Sequence, residues 1–263
     1  MSMRLDAWLV ANGLFGGRDT AKQHIEAGEV SVNGKTVKKP SAPVDDGDEV
    51  ICSGGERYVG RGGYKLEKAL AFLEGPLDGV VALDVGASTG GFTDCMLQNG
   101  AAKVYAVDVG HDQLHSALRA DPRVVCLENT DIRREDMGTL LTERPAFCSV
   151  DVSFISLKQV MPAVLPLLSP GAFAVCLIKP QFEAGRSAVG KNGVVKDPAA
   201  HAAVLRDLCE AFARWDCGVK ALTWSPIRGG EGNIEYLAVL HRGEPGGIVD
   251  IQATVREAFR QLK

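Results

Sequence analysis

The sequence predicts an α/β chain: a mostly parallel, seven-stranded sheet covered by helices, preceded by a small α+β module. Three observations carry this. From residue 64 onward, short apolar runs alternate with helical segments, the pattern of strand–helix–strand crossovers. The first 50 residues are patterned differently, as two short helices and a hairpin. Between the two parts lies SGGERYVGRGG, residues 53–63, with five glycines in eleven, which is linker composition. The expected parts are residues 1–52, a linker at 53–63 and a large domain at 64–263.

In the small module, Leu5, Trp8, Leu9 and Val10, then Ala21, Ile25 and Ala27, recur at near-helical spacing. Gly13 and Gly16-Gly17 separate these helices. EVSVNGKTV and DEVICS follow as strands, and Asn33-Gly34 between alternating apolar residues is a hairpin signal. In the large part, a helix at 64–74 precedes VVALDVG. The later strands are VYAVDVG, VVCLENT, FCSVDVSF, FAVCLIKP, VKALTWSP and EYLAVLHR. No long helix separates the last two, which predicts an antiparallel hairpin at the sheet edge.

Composition narrows the function classes. The chain is 46% apolar and 24% charged, ordinary for a soluble globular protein. A net charge of −4 argues against a coat of positive charge, but nucleic acid needs only a local basic face. Seven scattered cysteines without a C-x-x-C pair predict neither a metal site nor a disulfide framework. No signal peptide opens the chain, and no apolar run approaches the ~18 residues that span a membrane. The expectation is a cytoplasmic protein with no membrane role and no obligate protein partner.

Ligands of open parallel sheets lie outside the carboxyl ends of the strands. The first strand of the large part ends in LDVGASTGGFTD, with Asp84 and then Gly86, Ala87, Ser88, Thr89, Gly90, Gly91 and Phe92. This spacing is not the G-x-G-x-x-G of dinucleotide sites. The second strand ends at Asp108 and Val109, where an acid accepts bonds from ribose hydroxyls. The third ends in NTDIR, placing Asp131 and Ile132 where a purine amino group could be met. Together these residues fit an adenosine ligand. They resemble the S-adenosylmethionine-dependent methyltransferases, a Rossmann-like fold, in which the helix starting near Phe92 would offer its positive end to the methionine carboxylate.

The fourth strand ends Asp151-Val152-Ser153-Phe154. This is neither the (N/D)PP(Y/F)-type turn of base-amine methylation nor the Cys–Pro nucleophile of cytosine C5 methylation. Four ionisable residues stand instead at strand or helix ends: Lys65, Asp151, Lys179 and Glu235. Lys179 ends an almost wholly apolar strand, so it must reach an acid or be functional. Burial and a second cation both lower a lysine's pKa, which suits a lysine to accept a proton. The Lys-Asp-Lys-Glu order resembles the FtsJ/RrmJ-type ribose 2′-O-methyltransferases, which implies a catalytic tetrad at these four positions. RYVGRGGYKLEKAL, DVGASTGGFTD, VDVSFISL, IKPQFEAG, VGKNGVVKD and GNIEYL follow the order of the TlyA family over nearly the whole chain. That resemblance implies methylation of cytidine 2′-hydroxyls in ribosomal RNA. It also implies a carboxyl-terminal helix in VDIQATVREAFRQLK.

RLDAWLV and GRDTAKQHIEAGEVSVNGKTVKKP resemble the alpha-L, S4-type RNA-binding motif. The resemblance implies phosphate contacts from Arg4, Arg18, Lys22, Lys35, Lys38 and Lys39, with ribosomal RNA or ribosomal subunits as the partner. The glycine-rich, basic segment 183–197 could close over the substrate or be a surface loop. Two rival readings exist. A membrane-active haemolysin, a name given to some members of the family, finds no export signal and no spanning segment. An RNA-binding assembly factor without chemistry finds the tetrad intact.

Overall fold

The computed structural model describes residues 3–12, 14–15, 17–45, 47–52, 57–73, 75 and 77–262. The chain divides into two compact units, Met1–Gly60 and Arg61–Lys263. Of the segment expected as a linker, residues 53–56 lie outside the described residues, while Gly62 and Gly63 already belong to a helix.

The first unit runs β1 (Met3–Arg4), α1 (Leu5–Ala11), α2 (Arg18–Ala27), β2 (Val30–Val32), β3 (Lys35–Thr36), β4 (Pro43–Val44) and β5 (Val50–Cys52). β2 turns through Asn33-Gly34 into β3 and pairs on its other side with β5, both antiparallel. β1 and β4 form a separate antiparallel pair. Leu5, Leu9, Ala21, Ile25, Val30 and Val44 close a core of their own.

The second unit contains α3 (Gly62–Leu70), β6 (Val81–Val85), α4 (Gly91–Gln98), β7 (Lys103–Val107), α5 (Ser116–Ala120) and β8 (Val124–Leu127). It continues with α6 (Met137–Leu140), β9 (Phe147–Val150), α7 (Leu157–Val164), β10 (Phe173–Ile178) and α8 (Pro180–Glu183). α9 (Pro198–Arg214), β11 (Cys217–Trp224), β12 (Tyr236–Arg242) and α10 (Ile251–Gln261) complete it. The seven strands form one sheet in the order β11-β12-β10-β9-β6-β7-β8. The five from β10 to β8 are parallel. β12 is antiparallel to both neighbours. The expected hairpin is present, but β11 is its edge strand and β12 lies inside. The residues explain this. Tyr236 to Leu240 are all buried, whereas β11 exposes Lys220.

From β6 the sheet grows one way through β7 and β8, then the other way through β9 and β10. This reversal opens a crevice at the carboxyl ends of β6 and β9, where such sheets bind ligands. Among the described residues no helix is long and apolar enough to cross a membrane.

Candidate active site

The turn after β6 is built by close backbone approach. Gly86 has φ +84°, and a Cβ there would overlap the Asp151 carbonyl oxygen, so only glycine fits both demands. Gly86 N and Ala87 N donate to Val107 O at 2.8 and 3.1 Å, tying the turn to β7. Beneath it Asp84 is fully buried. Thr93 Oγ1 donates to its Oδ2 at 2.7 Å and Ser149 Oγ to its Oδ1 at 2.9 Å. Burial pushes this carboxyl up to about 6, against the two hydrogen bonds. Asp84 was expected along the ligand. It is instead the floor that joins β6, α4 and β9, because both oxygens find hydroxyl donors inside the protein.

A cleft of about 590 Å³ opens beside this turn, within the range of small-molecule sites. Its walls include Val85, Gly86, Ser88, Val107, Asp108, Val109, Asp131, Ile132 and Ile155. Asp108 holds the rim together: Ser88 N donates to Oδ2 at 2.8 Å and Gly110 N to Oδ1 at 2.7 Å. Each carboxylate oxygen keeps a lone pair for a further donor. Asp131 is paired with Arg133 at 2.6 Å, and both line the cleft. Val109 is 72% exposed at the mouth. Adjoining it is a smaller cleft of about 220 Å³, lined by Arg61, Lys65, Ala87, Thr89, Gly91, Phe92 and Gly229 among others. Gly86, Ser88 and Asp151 line both clefts. Gly90 lines neither; it is the N-cap residue of α4.

Two ion pairs stand at this junction. Lys65 Nζ donates to Glu235 Oε2 at 2.6 Å, with both side chains almost wholly buried. Glu235 packs so closely on Gly229 that a Cβ there would collide with its carboxylate. Lys179 Nζ lies 2.6 Å from Asp151 Oδ1. That oxygen makes no directional hydrogen bond, so the contact is an ion pair out of line. Lys179 Nζ donates instead to Ser153 Oγ at 2.9 Å. The four residues named from the sequence thus form two Lys–acid pairs, drawn from α3, the residue just before β12 and the residues just after β9 and β10.

Phe154 stands at the end of the fourth strand in the sequence with no role attached to it. It is 91% exposed, lines the large cleft and has φ +64°, a strained conformation for a bulky residue. Its ring tilts against Phe182 at 4.9 Å. VDVSFISL reads as the end of an apolar strand, so nothing in the pattern marks a residue turned outward.

In the first unit, Arg4 and Arg18 converge on the buried Asp6. Arg4 donates to both its oxygens at 3.0 and 2.9 Å, and Arg18 Nη2 to Oδ2 at 3.0 Å. The Arg4 guanidinium holds the Asp6 carboxyl well below its ordinary range despite burial, with Arg18 helping. Both arginines stay half-exposed. Lys22 pairs with Asp19 at 2.8 Å, and Lys35, Lys38 and Lys39 are exposed. Asp6 N donates to Pro40 O, which brings the chain next to Lys39 against the start of α1.

Comparison with known proteins decides the family. The model of the FtsJ-like methyltransferases matches residues 58–242, and that of the S4 domain residues 3–50. The chain belongs to the FtsJ-like methyltransferase family. Within it, YqxC of Bacillus subtilis is 45% identical over 267 residues, spanning 99% of this chain and 95% of the relative. The 16S/23S rRNA (cytidine-2′-O)-methyltransferase TlyA of Mycobacterium tuberculosis is 43% identical over 242 residues, 89% of this chain and 87% of that protein. A solved Streptococcus thermophilus protein carrying the hemolysin name superposes with a TM-score of 0.77 at 44% identity, covering 99% of this chain and 96% of that one. This FtsJ-like chain is therefore of the TlyA kind, with an S4 domain ahead of its methyltransferase domain.

Proposed function

We propose that the protein transfers the methyl group of S-adenosylmethionine to a ribose 2′-hydroxyl of ribosomal RNA, at a cytidine. The observation that carries this reading is Asp151, which lines both clefts and is paired with Lys179. The large cleft suits the cofactor. Its apolar walls suit a flat base, and Asp108 would accept hydrogen bonds from the ribose hydroxyls. The helix α4 turns its amino end, with Gly91 and Phe92, toward the small cleft. Bound there, the cofactor supplies an electrophilic methyl on a sulfonium.

The rest is work for this chain's own residues. Lys179 Nζ, steered by Asp151 and Ser153, first gives a proton to solvent and then, as the neutral amine, takes the 2′-hydroxyl proton. Lys65, fixed by Glu235, presents a second cation on the wall of the small cleft. The exposed ring of Phe154 offers a stacking face for an extruded base. Arg4 and Arg18, held side by side by Asp6, would grip phosphate, with Lys22, Lys35, Lys38 and Lys39 as further contacts. The cytidine and ribosomal RNA come from the resemblance to the Mycobacterium tuberculosis TlyA; the site itself supports a weakly acidic hydroxyl acceptor.

Lys179→Ala tests the reading. Methyl transfer to ribosomal RNA should fall at least 10²-fold, the usual scale of positioned proton transfer. Lys179→Arg should not rescue it, because a guanidinium stays protonated. The product of the unmodified protein should resist alkaline cleavage at the methylated nucleotide. Methyl label on the base, with the ribose still alkali-labile, would overturn the proposal.

A further inference from the structure

Glu183 ends α8, four residues after Lys179, and is half-buried. Its carboxylate reaches across the site. Ser156 Oγ donates to Oε2 at 2.6 Å and Leu157 N to Oε1 at 2.8 Å. These two donors open α7, where Ser156 is already the N-cap and accepts from Lys158 N at 3.1 Å. Ser156 Oγ satisfies only one of the free N–H groups at this helix start, Glu183 satisfies a second, that of Leu157, and burial pushes the Glu183 carboxyl up from its ordinary value. Capping accounts for these hydrogen bonds, but not for their coming from the short stretch that also carries Lys179, which calls for a further reason.

The segment between β9 and α7 supplies one. Its first half is held by Lys179, through Asp151 and Ser153. Its far end is held by Glu183, through Ser156 and Leu157. Between the two holds Phe154 projects with its positive φ, leaning on Phe182. All of these contacts come from the five residues Lys179 to Glu183. The arc 151–156 is therefore gripped at both ends by one short stretch of chain.

We infer that Glu183 is a positioning residue for methyl transfer: it fixes the arc 151–156 so that Asp151 and Phe154 meet the acceptor in register, without itself touching substrate. This rests on the methyl-transfer reading above. The geometry needed for transfer is tight, and a displacement near 1 Å can cost about a hundredfold in rate.

Glu183→Gln keeps the size but sets an amide donor against one of the two donors. At saturating RNA and cofactor, kcat should fall roughly ten- to hundredfold, with the melting temperature nearly unchanged. A second readout is fluorine NMR of protein labelled with 4-fluorophenylalanine, the Phe154 line being identified by its loss in Phe154→Leu. In Glu183→Gln that line should shift or broaden. Should Glu183→Gln fold poorly, Ser156→Ala removes one donor from the same carboxylate and should give a smaller loss in the same direction. The inference is overturned if kcat stays within twofold of the parent, or if kcat falls while the Phe154 line stays in place. Base methylation by the parent protein would refute the ribose reading instead, and the fluorine line would still report whether Glu183 holds the arc.

Discussion

Asp84 is a fully buried carboxyl beneath the turn that follows β6. An acid after the first strand of such a sheet looks like a ligand contact. Here it is sealed in by Thr93 and Ser149, from α4 and β9, and linear sequence does not disclose that pairing. Its folded value of about 6 exceeds the ordinary 3.8, so the folded state holds the extra proton. The stability from that proton is fully present below about pH 4 and is lost as pH rises through 6. At neutral pH the buried charge costs on the order of 3 kcal/mol. Asp84→Asn should therefore raise the melting temperature at pH 7.5, with the gain vanishing near pH 4. Calorimetry showing an equal gain at both values would mean that titration is not its source. Asp108 makes the contrasting case, since it lines the cleft. Asp108→Ala should weaken S-adenosylmethionine binding about tenfold or more, as charged hydrogen bonds contribute roughly 1.5–3 kcal/mol. Unchanged affinity by calorimetric titration of a folded variant would remove Asp108 from the cofactor site.

Among the elements, what the sequence disclosed follows from periodicity. Seven apolar runs became the seven strands because each is long enough to show its pattern. β1 and β4, two residues each, are too short for any pattern, and their pairing depends on the neighbouring helix. The Lys–acid pairs were legible as residues standing at strand and helix ends. Glu183 was not, because its partners are 26 and 27 residues away and no spacing announces them. The segment 183–197, left open as a cover or a surface loop, is anchored at its carboxyl end. Val195 is buried; its N donates to Asn233 Oδ1 at 3.3 Å and its carbonyl lies 2.9 Å from His201 Nε2. A carbonyl only accepts, so Nε2 carries the proton, and Nδ1 accepts from the Tyr236 hydroxyl at 2.8 Å. Burial lowers the His201 pKa, so its contribution is present above the ordinary value of 6.5 and is lost as pH falls below it. His201→Phe would leave Val195 O and Tyr236 Oη unpaired, at about 1–3 kcal/mol each. The melting temperature should drop by several degrees at pH 7.5, and the parent's advantage should shrink towards pH 5. An advantage that does not depend on pH would argue against a neutral, buried His201.

At the scale of the whole molecule, the two units enclose separate apolar cores, one around Leu5 and Ile25 and the other around the large sheet. A protein beginning near residue 60 should keep its affinity for S-adenosylmethionine and lose most of its affinity for ribosomal particles. Full-rate methylation by that shortened chain would remove the S4 domain as the RNA anchor. Added salt should weaken RNA capture by the intact protein, because phosphate contacts release counterions. The large unit also has an order of assembly built into its strand arrangement. β12 sits between β10 and β11, so β11 leaves the exit tunnel before the strand that joins it to the sheet exists. Glu235, on the threshold of β12, meets Lys65 across 170 residues, and until then that buried lysine lacks this partner. A growing chain can thus display its cofactor turn long before it is competent, and a premature stop anywhere ahead of β12 yields a half-built sheet rather than a slow enzyme.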